Sequence, residues 1–356
     1  MSRFLTISGL DAYVPGEQPK DCKYVKLNTN ESPYPPSDEV LSAVSEESAK
    51  LNLYSDPDCL ELRNCIAEQY GVNSENVISA NGSDEILSFA FQAFGGRGAV
   101  FPDITYGFYP VFSRLYGIKY EEKPLKADFS VDINDYKNAG RMVVIANPNA
   151  PTGLALSVSE IEEIAAENKN SVVVIDEAYV DFGAKSAVPL TKKYDNLLVT
   201  MTFSKSRSLA GARVGFAIGS GELIADLNAV RCSTNPYNVN RMSLAAAAAA
   251  IKSQKYYDEN AAKVIKTREY TAEKLKGMGF YLTDSKANFV FAKHGAFGGE
   301  LLYKKLKENG VLVRHFDKPK ICDFLRITVG TKEQMNCFLT KLEEIIKTEV
   351  QSNENC

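Results

Sequence analysis

Histidine is nearly absent from this chain, and cysteine does not occur at metal-binding spacing. Only two histidines, His294 and His315, occur in 356 residues. This scarcity argues against a histidine-based metal centre and against a serine–histidine relay. Seven cysteines are scattered without a Cys-x-x-Cys pair, so neither a disulfide framework nor a zinc site is indicated. The chemistry must therefore use lysine, tyrosine, aspartate or a cofactor, and we expect no metal.

Long apolar runs and an excess of basic residues are also lacking. The longest apolar run, LAAAAAAI at residues 244–251, is too short to span a bilayer. The N-terminus, MSRFLTISGLDAYVPGEQPKD, lacks the apolar stretch and cleavage site of a signal peptide, so we expect a cytoplasmic protein. The net charge is -4 with no long basic run, which argues against nucleic acid as a partner. We expect no membrane partner either.

The length and the 45% hydrophobic content allow a large core divided between two domains. Residues 1–35, rich in Pro, Asn and Gly, predict an extended arm. In residues 36–254, the apolar runs RMVVIANP, SVVVIDEAY and NLLVTMTFS alternate with helical patterns. One such pattern, SVSEIEEIAAENKN, has Ser157 or Ser159 as a possible cap. Together they predict an α/β domain with a mostly parallel central sheet covered by helices.

Residues 255–356 have a different character and predict a smaller C-terminal α+β domain. A long charged amphipathic helix is expected at 255–276. It is followed by the short strands NFVFAK and FLRITVG around another helix at 299–309.

Four polar clusters follow predicted strands, and parallel sheets bind ligands beyond the carboxyl ends of their strands. The first cluster is NGSDE, residues 81–85. Gly82 permits a tight turn, while Ser83 and Asp84 open a helix whose N-terminal N–H groups favour a phosphate. A plain helix cap remains the alternative.

The other three clusters lie at 147–153, 176–179 and 202–216. NPNAPTG is a tight turn fixed by prolines, and a rigid loop without a functional role remains the alternative. DEAY offers a carboxylate, Asp176, at a strand end and a phenol, Tyr179, although a turn cap and a packed tyrosine would also explain the pair. In TFSKSRSLAGARVGF, Lys205 is expected to close one strand and Arg213 to begin the next.

One ligand explains all four clusters: pyridoxal 5'-phosphate. Its aldehyde needs a lysine, and its ring nitrogen needs an acid that keeps it protonated. Its phenolic oxygen needs a hydrogen-bond donor. Its phosphate needs a helix N-terminus and an arginine. We therefore predict pyridoxal 5'-phosphate as the cofactor.

The ordered motifs NGSDE, TYGFY, NPNAPTG, DEAY and TFSK with a following arginine resemble the fold-type I, class I/II aminotransferases that depend on pyridoxal phosphate. Further motifs, KLNTNESPYPP, LYSDPD and VLVRHFDKPKICDFLRITVGT, resemble the histidinol-phosphate aminotransferase subfamily. The resemblance covers residues 10–345. It implies transfer of an amino group between L-histidinol phosphate and 2-oxoglutarate, in histidine biosynthesis, by a ping-pong mechanism.

The resemblance also implies roles at the cofactor. Lys205 would bind it covalently and move the proton between the substrate's Cα and the cofactor's C4'. Asp176 would pair with the ring nitrogen, Tyr179 would contact the phenolic oxygen, and Tyr106 would stack on the ring. The residues implied around the phosphate are Ser83, Asp84, Thr202, Ser204 and Arg213.

The remaining implied roles concern substrate and assembly. Arg326 would bind the carboxylate of glutamate or 2-oxoglutarate. The residues implied to hold the phosphorylated substrate are Tyr13, Asn30 and Arg314. Tyr54 would reach the phosphate of the other subunit's cofactor, which makes the active site a property of a homodimer.

The chain departs from the family pattern at Asn-Pro-Thr-Gly, whose asparagine bonds the phenolic oxygen. Ala150 stands at that position here. Either Asn149 substitutes through a shifted loop, or Tyr179 holds the oxygen alone. Two alternative functions also remain on the same scaffold. One is a broad or aromatic aminotransferase, and the other is a threonine-phosphate decarboxylase that needs no keto acid.

Overall fold

A computed structural model describes residues 12–20 and 23–354. The first eleven residues of the expected arm therefore lie outside the described residues. No helix among the described residues combines the length and apolar character needed to cross a membrane.

The alternation of strands and helices predicted for residues 141–204 is observed. The strands are β1 Val25–Lys26, β2 Val77–Ala80, β3 Ala99–Pro102, β4 Tyr120–Lys123, β5 Met142–Ala146, β6 Val173–Asp176, β7 Leu197–Thr202, β8 Gly215–Ile218, β9 Phe280–Leu282, β10 Phe289–His294, β11 Val311–Leu312, β12 Arg314–His315 and β13 Leu325–Thr328. The helices are α1 Asp38–Ser48, α2 Leu60–Tyr70, α3 Ser83–Phe94, α4 Phe108–Leu115, α5 Val158–Glu167, α6 Gly221–Thr234, α7 Arg241–Lys252, α8 Gln254–Gly277, α9 Gly299–Glu308 and α10 Lys332–Glu354.

A seven-stranded sheet in the order β2-β8-β7-β6-β5-β3-β4 forms the centre of the fold. The pairings among β4, β3, β5, β6 and β7 are parallel, and β8 pairs antiparallel with both β7 and β2. The strands β5, β6 and β7 are buried along their whole length. Burial on both faces explains their continuous apolar sequences. The expectation of a mostly parallel sheet is confirmed.

Alternate residues of each central strand enter different hydrophobic cores. Val143 and Ile145 of β5 pack with α1, α2, α5 and α7, whereas Met142 and Val144 pack with α3, α4 and α6. The helices thus cover both faces. Ser157 begins α5 with a capping box: its Oγ accepts from the Glu160 N–H, while its own N–H donates to the Glu160 carboxylate. This confirms the first of the two predicted caps.

A four-stranded antiparallel sheet, in the order β12-β13-β10-β9, packs against α8, α9 and α10. The arm is attached to this part of the chain, because β1 pairs in parallel with β11 and the Thr328 N–H donates to the Leu27 carbonyl. The exact division into an arm, a large domain and a small domain stays a prediction. The seven-stranded sheet lies within residues 77–218, and the four-stranded sheet lies within residues 280–328.

Glycine 215 permits the closest approach between β8 and the start of α3. A Cβ at this residue would lie 2.3 Å from the backbone nitrogen of Ser83 and 2.5 Å from the carbonyl carbon of Gly82. Backbone atoms cannot give way as a flexible side chain can. The start of α3 therefore rests directly on this strand.

We predict that Gly215→Ala lowers the free energy of unfolding by about 1–3 kcal/mol, the usual cost of forcing extra volume into a packed site. Denaturant unfolding monitored by circular dichroism measures the loss. Gly221→Ala is the matched control, because a Cβ there has no neighbour within 4 Å among the described residues. Equal stability of the two variants would contradict the prediction.

Candidate active site

A cavity of about 170 Å³ lies at the carboxyl ends of the central strands. Polar residues that follow β2, β6 and β7 meet there, because parallel strands end at the same edge of the sheet. The predicted site residues that line this cavity are Ser83, Asp84, Tyr106, Asp176, Tyr179, Thr202, Ser204, Lys205 and Arg213.

Asp176 is the last residue of β6 and is almost fully buried, with 4% of its surface exposed. Its Oδ2 accepts a hydrogen bond from the Tyr109 hydroxyl at 2.9 Å, and its Oδ1 accepts from the Ala178 N–H at 3.3 Å. Burial nevertheless raises the pKa of Asp176 to about 6. Among the described residues, no lysine or arginine nitrogen forms an ion pair with it. A cationic group in the cavity would complete its surroundings.

Lys205 reaches the same cavity from the loop after β7. Its Nζ lies 3.4 Å from the Thr29 carbonyl oxygen and 5.6 Å from the centroid of the Tyr179 ring. The expected position needs correction, because β7 ends at Thr202 and Lys205 follows three residues later. The amine consequently projects from a short loop at the sheet edge, where it can reach a ligand between Asp176 and α3.

The opposite end of the cavity is built to receive an anion. The first residues of α3, Ser83 and Asp84, present N–H groups that have no partner within the helix, together with the positive end of its dipole. Arg213 lies beside them, with Nη2 3.1 Å from Asp84 Oδ2. Gly82 has a φ of 83°, and a Cβ there would come within 2.7 Å of the Arg213 guanidinium. Glycine thus leaves room for the arginine.

Arg213 does not begin a strand, contrary to the expectation from sequence. It has a left-handed backbone, φ 54°, at the end of a short 3-10 turn, and β8 starts two residues later at Gly215. Arg213 is charged, exposed and left-handed, so it cannot continue the apolar strand that follows it. Arg213 nevertheless lines the cavity.

Asn149 is not brought into the cavity. Its amide nitrogen donates to the Ile104 carbonyl and to Thr152 Oγ1, and its amide oxygen accepts from Thr105 Oγ1. The amide therefore holds the loop after β3 against the loop after β5. Ala150 lines the cavity instead. We do not retain Asn149 as a cofactor ligand.

A second cavity of about 580 Å³ adjoins the first and shares five lining residues with it: Thr29, Tyr106, Ala150, Tyr179 and Lys205. The predicted substrate residues all line this larger space: Tyr13, Asn30, Arg314 and Arg326. The ring of Tyr13 stacks on Phe108 with 4.2 Å between centroids. The arm thereby covers one side of the entrance.

Arg326 and Arg314 stand directly opposite each other on β13 and β12. The Arg326 guanidinium lies between the rings of Phe289 and Phe316, at 5.5 and 5.6 Å from their centroids. Its Nη2 donates to the Asn28 carbonyl, but its buried Nε has no hydrogen-bond partner. Burial lowers the pKa of Arg326, and no carboxylate of the described residues forms an ion pair with it. The site is suited to an anionic ligand.

Tyr54 does not reach either cavity of its own chain. It is 80% exposed and stacks on Tyr237 with 4.6 Å between ring centroids. Its predicted contact with a second subunit stays a prediction.

Sequence reasoning missed Tyr109 and the cavity-lining residues Thr29 and Glu31. Tyr109 is fully buried and is the hydroxyl donor to Asp176. Its place three residues after Tyr106, where α4 begins, was the available signal, because the two rings lie edge to face with 5.7 Å between centroids. Thr29 and Glu31 lie in the irregular arm, where no periodicity indicates direction.

This geometry agrees with the comparisons to known proteins. The chain belongs to the aminotransferase class I and II family, whose model matches residues 23–342. The chain is 52% identical over 353 residues to a histidinol-phosphate aminotransferase of Brachyspira hyodysenteriae, a match that covers 98% of this chain and 100% of the relative. Its identity to the protein of the same name from Clostridium botulinum (strain Kyoto) is 51% over 341 residues, covering 95% and 96%.

Solved structures share the fold. Histidinol-phosphate aminotransferase from Clostridium acetobutylicum matches with a TM-score of 0.84 at 23% identity, over 91% of this chain and 99% of that chain. The enzyme of that name from Sinorhizobium meliloti, solved in complex with pyridoxal 5'-phosphate, also gives 0.84 at 23% identity, over 91% of each chain. The fold is therefore fold-type I.

We predict that Asp176→Asn stabilises the cofactor-free protein above pH 6. Because the folded-state pKa is about 6 and the ordinary value is 3.8, the folded protein retains a proton that the unfolded chain releases between these values. Stability is therefore lost as pH rises through this window. The variant should be more stable by roughly 3 kcal/mol above pH 6. Near pH 4 the difference should vanish.

Urea unfolding at a series of pH values measures this difference. Asp226→Asn, on the exposed face of α6, is the matched control for removing a carboxylate. A constant difference in stability between Asp176→Asn and wild type from pH 4 to pH 8 would show that burial does not raise the pKa of Asp176.

Proposed function

We propose that this protein is a pyridoxal-phosphate-dependent histidinol-phosphate aminotransferase. It exchanges an amino group between L-histidinol phosphate and 2-oxoglutarate in two half-reactions. One observation carries the proposal: a buried acid, an amine and an anion-binding helix N-terminus line one cavity. The identity of about 50% to histidinol-phosphate aminotransferases over nearly the whole chain supports the choice of substrate.

The residues of the smaller cavity fit pyridoxal 5'-phosphate. Asp176 forms no ion pair with a lysine or arginine of the described residues, and the protonated ring nitrogen would provide one. The start of α3 and the adjacent Arg213 suit the phosphate. Lys205 lines the same cavity and would bind the aldehyde. Tyr106 lines the wall, where its ring would lie against the ring of the cofactor.

Bound in this cavity, the cofactor would supply an aldehyde that carries the amino group and a ring that withdraws electrons from the substrate. Lys205 would remove and return a proton at the substrate's Cα, a task that is worth roughly 10² to 10⁴-fold in rate. The Asp176 carboxylate would hold the ring nitrogen in its protonated form. Tyr13, together with the aromatic residues beside it, would limit the access of water to the reacting atoms.

The larger cavity would hold both substrates in turn. Histidinol phosphate carries a phosphate and lacks an α-carboxylate, whereas glutamate carries carboxylates. The planar fork of arginine binds either anion. Arg326, buried between two aromatic rings, would take the carboxylate of glutamate or 2-oxoglutarate. Arg314 at the more open edge would take the phosphate, with Tyr13 above it.

We predict that Arg314→Ala weakens histidinol phosphate by roughly 10 to 150-fold, since a lost contact to a charged group costs about 1.5–3 kcal/mol. Glutamate should be affected much less. Arg326→Ala should impair both half-reactions, because its guanidinium would contact the carboxylate in one and lies opposite Arg314 at the expected phosphate site in the other. Single-turnover absorbance changes, measured separately with each amino donor, test this.

Arg141→Ala, at a surface ion pair with Glu121, is the control for removing an arginine. Equal losses for both donors on changing Arg314 would reduce it to a structural residue. A wild-type preference for phenylalanine or tyrosine would instead favour an aromatic aminotransferase. Release of carbon dioxide from threonine phosphate without a keto acid would favour a decarboxylase.

We further propose that two copies of the chain form a homodimer with shared active sites. Large apolar side chains are exposed between residues 41 and 60, and the exposed Tyr237 stacks on one of them, Tyr54. These are Leu41 54%, Leu51 60%, Leu53 58%, Tyr54 80%, Leu60 53% and Tyr237 43%. Clustered exposed apolar residues favour an interface between proteins. A two-fold arrangement would use this surface on both copies.

Mixing Tyr54→Phe subunits with Lys205→Ala subunits should restore activity. In a mixed dimer, one site would contain the native Lys205 of one subunit and the native Tyr54 of the other. At equal amounts, random exchange should give about a quarter of the wild-type rate. Sedimentation confirms the dimer. A rate equal to the mean of the two parent variants, or a fully active monomer, would refute shared sites.

We place the reaction in the cytoplasm, within histidine biosynthesis. The support is the name of the relatives together with the thiols of the described cysteines, Cys59, Cys65, Cys232, Cys322 and Cys337, which are all free. Reduced thiols are typical of that compartment.

A further inference from the structure

Asn30 connects the arm, the small sheet and the cofactor cavity. It is buried, with 1% of its surface exposed, and has a left-handed backbone with φ 56°. Its Nδ2 lies 2.9 Å from the Tyr179 hydroxyl oxygen, and its Oδ1 lies 3.0 Å from the Thr328 hydroxyl. Its backbone carbonyl accepts a hydrogen bond from Asn288. The side chain is thus held from both ends of its amide.

The direction of these hydrogen bonds follows from Thr328. The Thr328 hydroxyl oxygen already accepts from the Asn30 backbone N–H at 2.9 Å. Its own proton then needs an acceptor, and Asn30 Oδ1 is the acceptor within reach. A reversed amide would turn its NH₂ group toward this hydroxyl. The buried Thr328 proton would then have no acceptor among the hydrogen bonds of the described residues, which is costly.

Tyr179 must consequently accept a hydrogen bond from Asn30. Its own proton is then directed elsewhere, and the cavity that its hydroxyl borders is the open direction. On the neighbouring wall, Ala150 presents only a methyl group. The charged groups around the Tyr179 ring are Lys205, whose Nζ is 5.6 Å from the ring centroid, and the buried Arg326.

We propose that Asn30 is a positioning residue that sets Tyr179 as a hydrogen-bond donor to the anionic ring oxygen of the cofactor. The proposal rests on the proposed function. A hydroxyl that accepts one hydrogen bond donates a stronger one, because neighbouring hydrogen bonds polarise one another. The Tyr179 hydroxyl would thereby be a stronger donor to the ring oxygen, to which the methyl group of Ala150 cannot donate. Asn30 has this role in addition to its predicted contact with substrate.

The test uses the substrate-free protein reconstituted with pyridoxal 5'-phosphate. Its visible absorption changes with pH, and the midpoint of that change measures the proton affinity of the Lys205 nitrogen that is joined to the cofactor. Loss of a donor to the ring oxygen leaves more negative charge on the conjugated system, so the midpoint must rise. Tyr179→Phe should raise it by about one pH unit, the shift expected for a lost hydrogen bond to a charged group.

Asn30→Asp should raise the midpoint by a similar amount. A carboxylate at residue 30 accepts from both hydroxyls, which turns the Tyr179 proton away from the cofactor. The double variant Asn30→Asp/Tyr179→Phe separates this effect from added charge. If Asn30 acts through Tyr179, the double variant has the midpoint of Tyr179→Phe alone. A further rise on adding Asn30→Asp would overturn the proposal, as would an unchanged midpoint in Asn30→Asp.

Thr328→Val provides a second, uncharged variant if Asn30→Asp does not fold. Without the Thr328 hydroxyl the amide is free to turn, so the midpoint should also rise. Thr271→Val is the matched control, since that buried hydroxyl bonds the Thr267 carbonyl within α8. An unchanged midpoint in Thr328→Val would contradict the proposal. Wild-type protein that acquires no visible absorption with the cofactor would refute the proposed function instead.

Discussion

A buried carboxylate at the end of a parallel strand is the constraint on which the site depends. Asp176 has 4% of its surface exposed and, among the described residues, accepts hydrogen bonds from the Tyr109 hydroxyl and the Ala178 N–H. In a low-dielectric interior, such a charge is destabilising unless an opposite charge accompanies it. The packing of the surrounding sheet and helices must therefore offset the free-energy cost of burying this carboxylate. The free energy of binding a cationic ring is gained partly by relieving this unfavourable state.

The sheet also explains why the other chemical groups meet at Asp176. Parallel strands β5, β6 and β7 end at one edge, and the loops that follow them supply the cavity walls. The antiparallel strand β8 lies next to β7 and carries the start of α3 on Gly215. The anion-binding end is therefore fixed relative to Lys205 by backbone contact rather than by flexible side chains. The antiparallel sheet contributes Arg314 and Arg326, which line the adjoining larger cavity.

Much of this arrangement could be predicted from the sequence, and the failures have physical reasons. Continuous apolar runs revealed the buried strands, and the polar residue that ends each run revealed the edge where ligands bind. The direction of a side chain in a loop has no such period. Asn149 therefore could not be distinguished from Ala150 as the residue that faces the cavity. The left-handed backbone of Arg213 and the hydroxyl of Tyr109 depend on contacts distant in sequence. Residues that would act across a subunit boundary, such as Tyr54, are simply exposed in one chain.

Arg314 and Arg326 face each other across two antiparallel strands, although like charges at such positions repel. The cavity that they line consequently attracts anions in general, whatever other groups the anion carries. Inorganic phosphate and other small dianions inside a cell would occupy the same space. The apparent affinity for an amino donor is then a competition against the ionic composition of the surroundings, and it falls as that background rises. Selectivity among anions would then have to come from the rest of the cavity, which Tyr13 of the arm also lines.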